Sequence, residues 1–272
     1  MDMNNIKNLM VYSTVQVIAY DATEKSRGTG FFVGKAETRK AYLATNKHVV
    51  ANYNHAELTF CERNENDMPV DNSHITIDIH DLQSRIISHP ESEVDLCFIS
   101  IDDKIEEERK KGKAPFFMII GDNLIITQAK LLEMSAIERV LMIGYPAGLI
   151  DKTNNKPIVR IGTTATCVSL DYEGEKKYLI DMAVFRGSSG SPIFIEKQET
   201  LVEKETLIIR TQYYLAGIVS NTIIQTGDHE VEIVDIPTTE KMIYRTEQYL
   251  NLGIVVKAEK ISELLNIACS TN

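Results

Sequence analysis

The stretch Phe185-Arg186-Gly187-Ser188-Ser189-Gly190-Ser191-Pro192 constrains this chain more than any other. It is a turn punctuated by two glycines, with hydroxyl side chains at its apex and apolar runs on both sides. Glycines so placed let the backbone fold tightly and bring N–H groups towards one point, where they can stabilise an oxyanion. A serine hydroxyl is a poor nucleophile at neutral pH. Such a turn does chemistry only if the chain also supplies a base within hydrogen-bond reach and a group that orients the base. Gly-Ser-Ser-Gly alone also describes ordinary loops, so the upstream residues decide between the two readings.

At 272 residues the chain can bury a substantial core without disulfide staples, as one large all-β domain or two smaller ones. The formal charge of −10 comes without any lysine or arginine cluster, which argues against a nucleic-acid partner. From Met1 to Asp21, acidic and amide residues stand where a signal peptide would carry positive charge, and no apolar stretch approaches the length of a membrane span. Cys61, Cys97, Cys167 and Cys269 lie far apart and form no C-x-x-C pair, so neither a zinc site nor a disulfide framework is expected. A reducing, cytoplasmic setting without membrane attachment is the simplest expectation.

Along the chain, Ser13 to Tyr20 mixes alternation with β-branched residues, as a half-buried strand does. Gly28 to Gly34 reads as a strand whose small residues allow close backbone packing, and it lacks the G-x-G-x-x-G spacing of a dinucleotide site. Short strand-like runs over 57–62, 75–79 and 85–88, separated by Asn, Asp, Pro and charged residues, predict a barrel or sandwich. Asp102 to Lys113 is the one clear charged helix, with Glu106 and Lys110, and Glu107 and Lys111, at i, i+4. Arg139 to Gly148 is a strand closed by a Gly/Pro turn, and runs over 158–171 and 177–183 deliver the chain to the Ser-rich turn. Pro192 to Ile195 leaves that turn as a strand. Glu196 to Gln212 reads as a polar insertion before the strand Tyr213 to Asn221, and a second insertion spans roughly Gln225 to Asn251. Leu252 to Val256 is a last strand. Ile261, Leu264, Leu265 and Ala268 then share one face of a closing amphipathic helix.

Two upstream residues are suited to partner the turn. In Ala41 to Ala51 an apolar strand runs into a polar knuckle that ends at His48, and in Glu93 to Ile101 an aspartate, Asp95, heads a buried-looking strand. Taken singly, a histidine is ordinarily a surface or satisfied core residue, and an aspartate before a strand ordinarily caps a turn. His55, His74, His80, His89 and His229 have no comparable setting and no metal-ligand spacing. The order His48, Asp95, Ser189 is the chymotrypsin-like order, and Gly190 follows Ser189 directly, so the G-x-S-x-G elbow of the α/β-hydrolases is absent.

With these residues the chain resembles the trypsin-like (chymotrypsin-fold) serine peptidases, and more closely their bacterial intracellular and heat-shock-protease-like branches. The matching pieces are Thr45-Asn46-Lys47-His48-Val49-Val50, Asp95-Leu96-Cys97, Ile143-Gly144-Tyr145-Pro146-Ala147-Gly148, Gly187-Ser188-Ser189-Gly190-Ser191-Pro192 and Ala216-Gly217-Ile218-Val219-Ser220. The resemblance implies an all-β fold of two packed antiparallel six-stranded β-barrels with a short C-terminal helix. It implies an N-terminal barrel over 1–120 carrying His48 and Asp95, and a C-terminal barrel over 121–272 carrying Ser189. It also implies a serine endopeptidase acting through an acyl-enzyme on protein or peptide substrates: Ser189 as nucleophile, His48 as general base and acid, Asp95 as its orienter. The N–H groups of Gly187 and Ser189 would form the oxyanion hole. Ser220 would hydrogen-bond Asp95, and Ser220, Asn221 and Thr222 would pair with the substrate backbone. No metal or organic cofactor is implied.

Two departures shape the expectation further. Digestive relatives carry an aspartate before the nucleophile to receive a new N-terminal amine; Ser188 cannot form that ion pair, so the hole is either preformed or ordered by an activating partner. The pocket-floor position, six residues before Ser189, holds Ala183, which disfavours cleavage after Lys or Arg and suits a small or medium uncharged residue. Arg186 at the pocket rim is either a contact for acidic substrate residues or an exposed arginine. A catalytically silent barrel-pair binding module and an esterase using the same triad are the alternatives.

Overall fold

The computed structural model describes residues 5–38, 40–203, 206–225, 231–235 and 248–270. The chain opens with a short helix, Ile6–Tyr12, which the sequence reading did not anticipate; Asn5 caps it by accepting the Lys7 N–H, and Met10 and Tyr12 anchor it in the core. Nine strands follow: β1 (Thr14–Tyr20), β2 (Lys25–Lys35), β3 (Lys40–Thr45), β4 (His55–Arg63), β5 (Pro69–Ile79), β6 (Ile86–Ser88), β7 (Cys97–Ile99), β8 (Pro115–Phe116) and β9 (Ile120–Gly121). They form one sheet in the order β5-β4-β1-β2-β3-β7-β6, with β8 on β4 and β9 parallel to β2. Alternation drives the pairing. Val15, Val17 and Ala19 of β1 turn inward while Gln16, Ile18 and Tyr20 are only half-buried.

The second sheet contains β10 (Arg139–Gly144), β11 (Ile158–Thr164), β12 (Lys177–Asp181), β13 (Pro192–Glu203), β14 (Thr206–Gln225), β15 (Val231–Asp235) and β16 (Gln248–Lys257). Its order is β13-β10-β11-β12-β16-β14-β15, and β13 also pairs with β14. Those pairings close a ring of six strands with β15 outside it, whereas the first sheet remains an open path. The all-β architecture is as expected, and among the described residues the strand counts are nine and seven in place of six each.

The two sheets share a core. In β2, Phe31 and Val33 join a cluster with Val140, Ile143, Ile193, Ile218 and Val255 of the second sheet, while Phe32 faces Val17, Leu43, Val49 and Leu58 of its own. The closing helix, Ala258–Ser270, buries the expected face and is tied to the first sheet by the Tyr42 hydroxyl, which donates to the Ala268 carbonyl at 3.0 Å. The charged helix forms over Asp102–Lys110. Its ion pairs run at i, i+3, as Lys104–Glu107, Glu106–Arg109 and Glu108–Lys111, and not at the expected i, i+4.

The polar stretch Glu196–Gln212, expected as an insertion between strands, is itself stranded. It continues β13 and β14 as a long two-stranded ribbon, with Glu196 opposite Tyr213 and Glu199 opposite Arg210. Thr206, Ile208, Ile209, Thr211 and Tyr213 suit a strand, and cross-strand pairs stabilise it despite the polar composition. Of the second expected insertion, β15 and the first residues of β16 are described; the rest lies outside the described residues. No helix among the described residues is long and apolar enough to cross a membrane.

Candidate active site

The end of β3 delivers His48. Asn46 is extended and begins a single helical turn, Lys47–Val50, whose Val49 and Val50 are fully buried and fix the knuckle. Asp95 stands just before β7, and β7 pairs with β3 through Cys97 and Thr45, so the sheet register brings Asp95 beside the knuckle. Three further bonds fasten the two segments. The His48 main-chain N–H donates to Asp95 Oδ1 at 3.2 Å, Asn46 Nδ2 to the Asp95 carbonyl at 2.6 Å, and Lys47 Nζ to the Glu91 carbonyl at 2.9 Å.

Ser189 is presented by two consecutive tight turns. The Ser188 N–H donates to the Phe185 carbonyl at 2.9 Å, and the Ser191 N–H to the Ser188 carbonyl at 3.0 Å. The third residue of each turn is a glycine, Gly187 with φ +83° and Gly190 with φ +84°, the left-handed backbone that a type II turn requires. Neither accepts a side chain. A Cβ on Gly187 would collide with the Tyr145 carbonyl oxygen, and one on Gly190 with the Thr29 carbonyl oxygen.

The three side chains form one line. His48 Nδ1 lies 2.6 Å from Asp95 Oδ2, and His48 Nε2 lies 3.0 Å from Ser189 Oγ. A carboxylate only accepts, so the imidazole proton belongs on Nδ1 and Nε2 is left to accept from the serine hydroxyl. Cys97, two residues beyond Asp95, is fully buried; burial, and then the Asp95 charge, push its thiol well above the ordinary range and keep it protonated. The N–H groups of Gly187 and Ser189 have no acceptor among the described residues.

The expected substrate-side residues fare differently. Ala183 and Arg186 are half-buried, and the Arg160 guanidinium lies 5.0 Å over the Phe185 ring between them. Ser220 is fully buried, and its hydroxyl has no hydrogen-bond partner among the described residues. The implied bond from Ser220 to Asp95 is therefore not made, and His48 takes both Asp95 carboxylate oxygens. The Thr222 hydroxyl is turned to β16, where it donates to the Leu252 carbonyl at 3.1 Å. The strand edge of Asn221 and Thr222, expected to be open for substrate, is occupied by β15, with Asn221 opposite Asp235 and Thr222 opposite Val234. A strand edge has room for one partner, and in this structure β15 fills it.

Sequence reasoning passed over Thr29. Fully buried in β2, Thr29 uses every polar atom on the site: its hydroxyl donates to the Gly187 carbonyl at 2.8 Å and accepts the Tyr145 N–H at 3.1 Å. Its N–H donates to the Ser189 carbonyl at 2.8 Å, and its carbonyl accepts the Thr45 hydroxyl at 2.8 Å. The available signal was a hydroxyl between two glycines, Gly28 and Gly30, directly before the apolar run Phe31-Phe32-Val33. Asn46 was also passed over, as a polar residue two before the histidine.

His89, Glu91 and Glu263 bring three ligand-type atoms within 4.8 Å of one another. Their needs are met internally. His89 Nδ1 accepts the Glu91 N–H at 3.2 Å, Nε2 faces Glu263 at 3.2 Å, and Lys260 Nζ bonds Glu91 at 2.7 Å and Glu263 at 3.0 Å. Lysine already supplies the positive charge a metal would bring.

Residues 28–202 match the model of the trypsin-like peptidase domain. The fold is similar to that of a thermostable serine protease from an extremophilic microorganism, at 12% identity and a TM-score of 0.50, over 96% of this chain and 98% of that one. A serine endoprotease from Yersinia pestis matches at 14% identity and a TM-score of 0.47, over 98% of this chain and 67% of that one. No curated protein sequence matches the chain.

Proposed function

The chain belongs to the trypsin-like peptidase domain family, and from that premise we propose that it is a serine endopeptidase with Ser189 as nucleophile. The observation that carries this reading is the continuous line from Asp95 Oδ2 through both ring nitrogens of His48 to Ser189 Oγ, at 2.6 and 3.0 Å. Ser189 Oγ attacks the scissile carbonyl as His48 Nε2 takes its proton. His48 then returns the proton to the leaving amine, and water repeats the sequence on the acyl-enzyme. Asp95 holds the imidazole by two bonds, one to the ring and one to the main chain, and stabilises the imidazolium. The unpaired N–H groups of Gly187 and Ser189 receive the oxyanion, each worth roughly 3 kcal/mol in the transition state.

Ala183, Val184 and the covered Phe185 ring offer no carboxylate to a basic side chain, which supports cleavage after small or medium uncharged residues. The unpaired cysteines, Cys61, Cys97, Cys167 and Cys269, fit a reducing compartment and protein substrates found there. The test is a cleavage-site profile of a cell lysate treated with the wild-type chain or with Ser189→Ala. New termini confined to the wild-type sample, after uncharged residues, are expected. Ester turnover with no cleavage of any peptide would favour the esterase, and cleavage dominated by Lys or Arg would overturn the specificity.

A further inference from the structure

Resting on the serine-hydrolase reading, we propose that Thr29 is a positioning residue that holds the oxyanion hole preformed. In a planar trans peptide the N–H points away from its own carbonyl, so whatever holds the carbonyl aims the N–H. The N–H of Gly187 shares a peptide with the Arg186 carbonyl, which accepts from the Ala147 N–H; the N–H of Ser189 shares one with the Ser188 carbonyl, which accepts from the Ser191 N–H. Both donors proposed for the hole are thus aimed by bonds on the opposite side of their peptides.

The Ala147 donor is itself fixed from the first sheet. Ala147 sits in a one-turn helix, Pro146–Gly148, with a left-handed φ of 54°, directly after Tyr145, whose N–H donates to the Thr29 hydroxyl at 3.1 Å. The same hydroxyl donates to the Gly187 carbonyl at 2.8 Å, and the Thr29 N–H holds the Ser189 carbonyl at 2.8 Å. One hydroxyl therefore spans the turn that holds Arg186 and the turn that carries Ser189. Ser188 needs no charged partner here; its hydroxyl is buried and accepts the Phe185 N–H at 3.4 Å.

Turnover of p-nitrophenyl acetate and inhibition by benzeneboronic acid, whose serine adduct places an oxygen in the hole, test this in Thr29→Val, Thr29→Ala and Thr29→Ser. Thr29→Val should lower kcat up to about 100-fold with KM within about threefold, raise the boronate Ki in parallel, and Thr29→Ser should restore both to within about threefold of wild type. A folded Thr29→Val with kcat near wild type, or a Thr29→Ser as impaired as Thr29→Val, would overturn it. If Thr29→Val does not fold, Thr29→Ala against Thr29→Ser is judged by the same criteria. A wild-type chain inert to both reagents would instead reject the hydrolase reading itself.

A separate observation carries a second inference: the edge of β14 beside the nucleophile turn is a strand-docking surface, held by β15 until an extended peptide displaces it. Val219 on that edge accepts the Gly190 N–H and donates to the Ser191 carbonyl, both at 2.9 Å, so the positions that follow it along the edge are the first peptide-pairing groups beside Ser189. β15 covers them antiparallel from Asn221 to Gln225, on the side of β14 away from β16. A substrate strand and β15 compete for the same N–H and carbonyl groups. Hydrogen exchange of the wild-type chain, with and without a peptidyl aldehyde bound to Ser189, tests this: amides of 231–235 should lose protection in the complex. The paired substitution Ile233→Pro/Val234→Pro removes the one N–H of the two that faces β14 and should raise kcat/KM for a long peptide about tenfold or more while leaving p-nitrophenyl acetate turnover unchanged. Undiminished protection in the inhibitor complex, or no gain with the long peptide, would overturn it.

Discussion

Asp95 grips His48 twice, through Oδ2 to the ring Nδ1 at 2.6 Å and through Oδ1 to the main-chain N–H at 3.2 Å. The second bond fixes the carboxylate plane before the ring is oriented, so the amide isostere disturbs both contacts. Asp95→Asn is expected to lower kcat by about 10,000-fold while the fold persists, because the amide favours the wrong imidazole tautomer. Ester kinetics with a circular dichroism control check it.

Asn46 acts on the same pair from behind. Its Nδ2 donates to the Asp95 carbonyl at 2.6 Å in a partly buried bond, and its Oδ1 has no partner among the described residues. Removing the bond in Asn46→Ala is expected to cost about 1.4 kcal/mol, seen as a roughly tenfold lower kcat with KM nearly unchanged. Steady-state kinetics against Asn46→Asp, which also loses the donor, provide the check; full activity in both variants would remove Asn46 from the account.

Two glycines with the same backbone sign separate strain from collision. Gly112 has φ +79° with open space around its Cβ position, whereas a Cβ on Gly190 meets the Thr29 carbonyl oxygen and the Thr45 hydroxyl. Gly112→Ala should cost about 1 kcal/mol of stability and leave activity intact. Gly190→Ala should cost about 3 kcal/mol or more and abolish ester turnover. Thermal denaturation of the two variants side by side measures the difference.

An ion pair outside the site gives a pH test. Lys257, 2% exposed, bonds Asp171 Oδ1 at 2.7 Å, and Lys176 lies 3.1 Å from Oδ2. The Lys257 bond, with help from Lys176 and against the opposing effect of burial, holds the Asp171 carboxyl below the usual carboxylate range. A depressed carboxyl contributes stability that is complete above its unfolded value, about 3.9, and is lost as pH falls through the lower folded value. Asp171→Asn should therefore be less stable than wild type by about 1–2 kcal/mol at neutral pH, the carboxylate being partly exposed, and the gap should begin to narrow as pH falls below about 4. Denaturant melts at pH 7 and pH 3.5 would show it.

The parts of this molecule legible in the sequence are those written in local patterns. Alternation around Val15 and Val17, the periodic face of Ile261, Leu264 and Leu265, and the glycine spacing around Ser189 each encode their own conformation. The order of His48, Asp95 and Ser189 was readable because chain order separates the known solutions to one chemistry. What was not legible depends on register. The polar stretch Glu196–Gln212 is stabilised by cross-strand partners, which composition does not reveal. Thr29 matters through bonds to Tyr145 and Gly187, far along the chain, and β15 matters because of the edge it occupies. Ser220 marks the reverse case: the family resemblance implied a bond to Asp95 that the described residues do not make.

The most direct measurement is mapping the adduct of a fluorophosphonate probe by peptide mass spectrometry. One adduct is expected, on the hydroxyl of Ser189, strongly reduced in His48→Ala and absent in Ser189→Ala. A folded wild-type chain that takes up no probe, or takes it up at another residue with Ser189 unmodified, would contradict it.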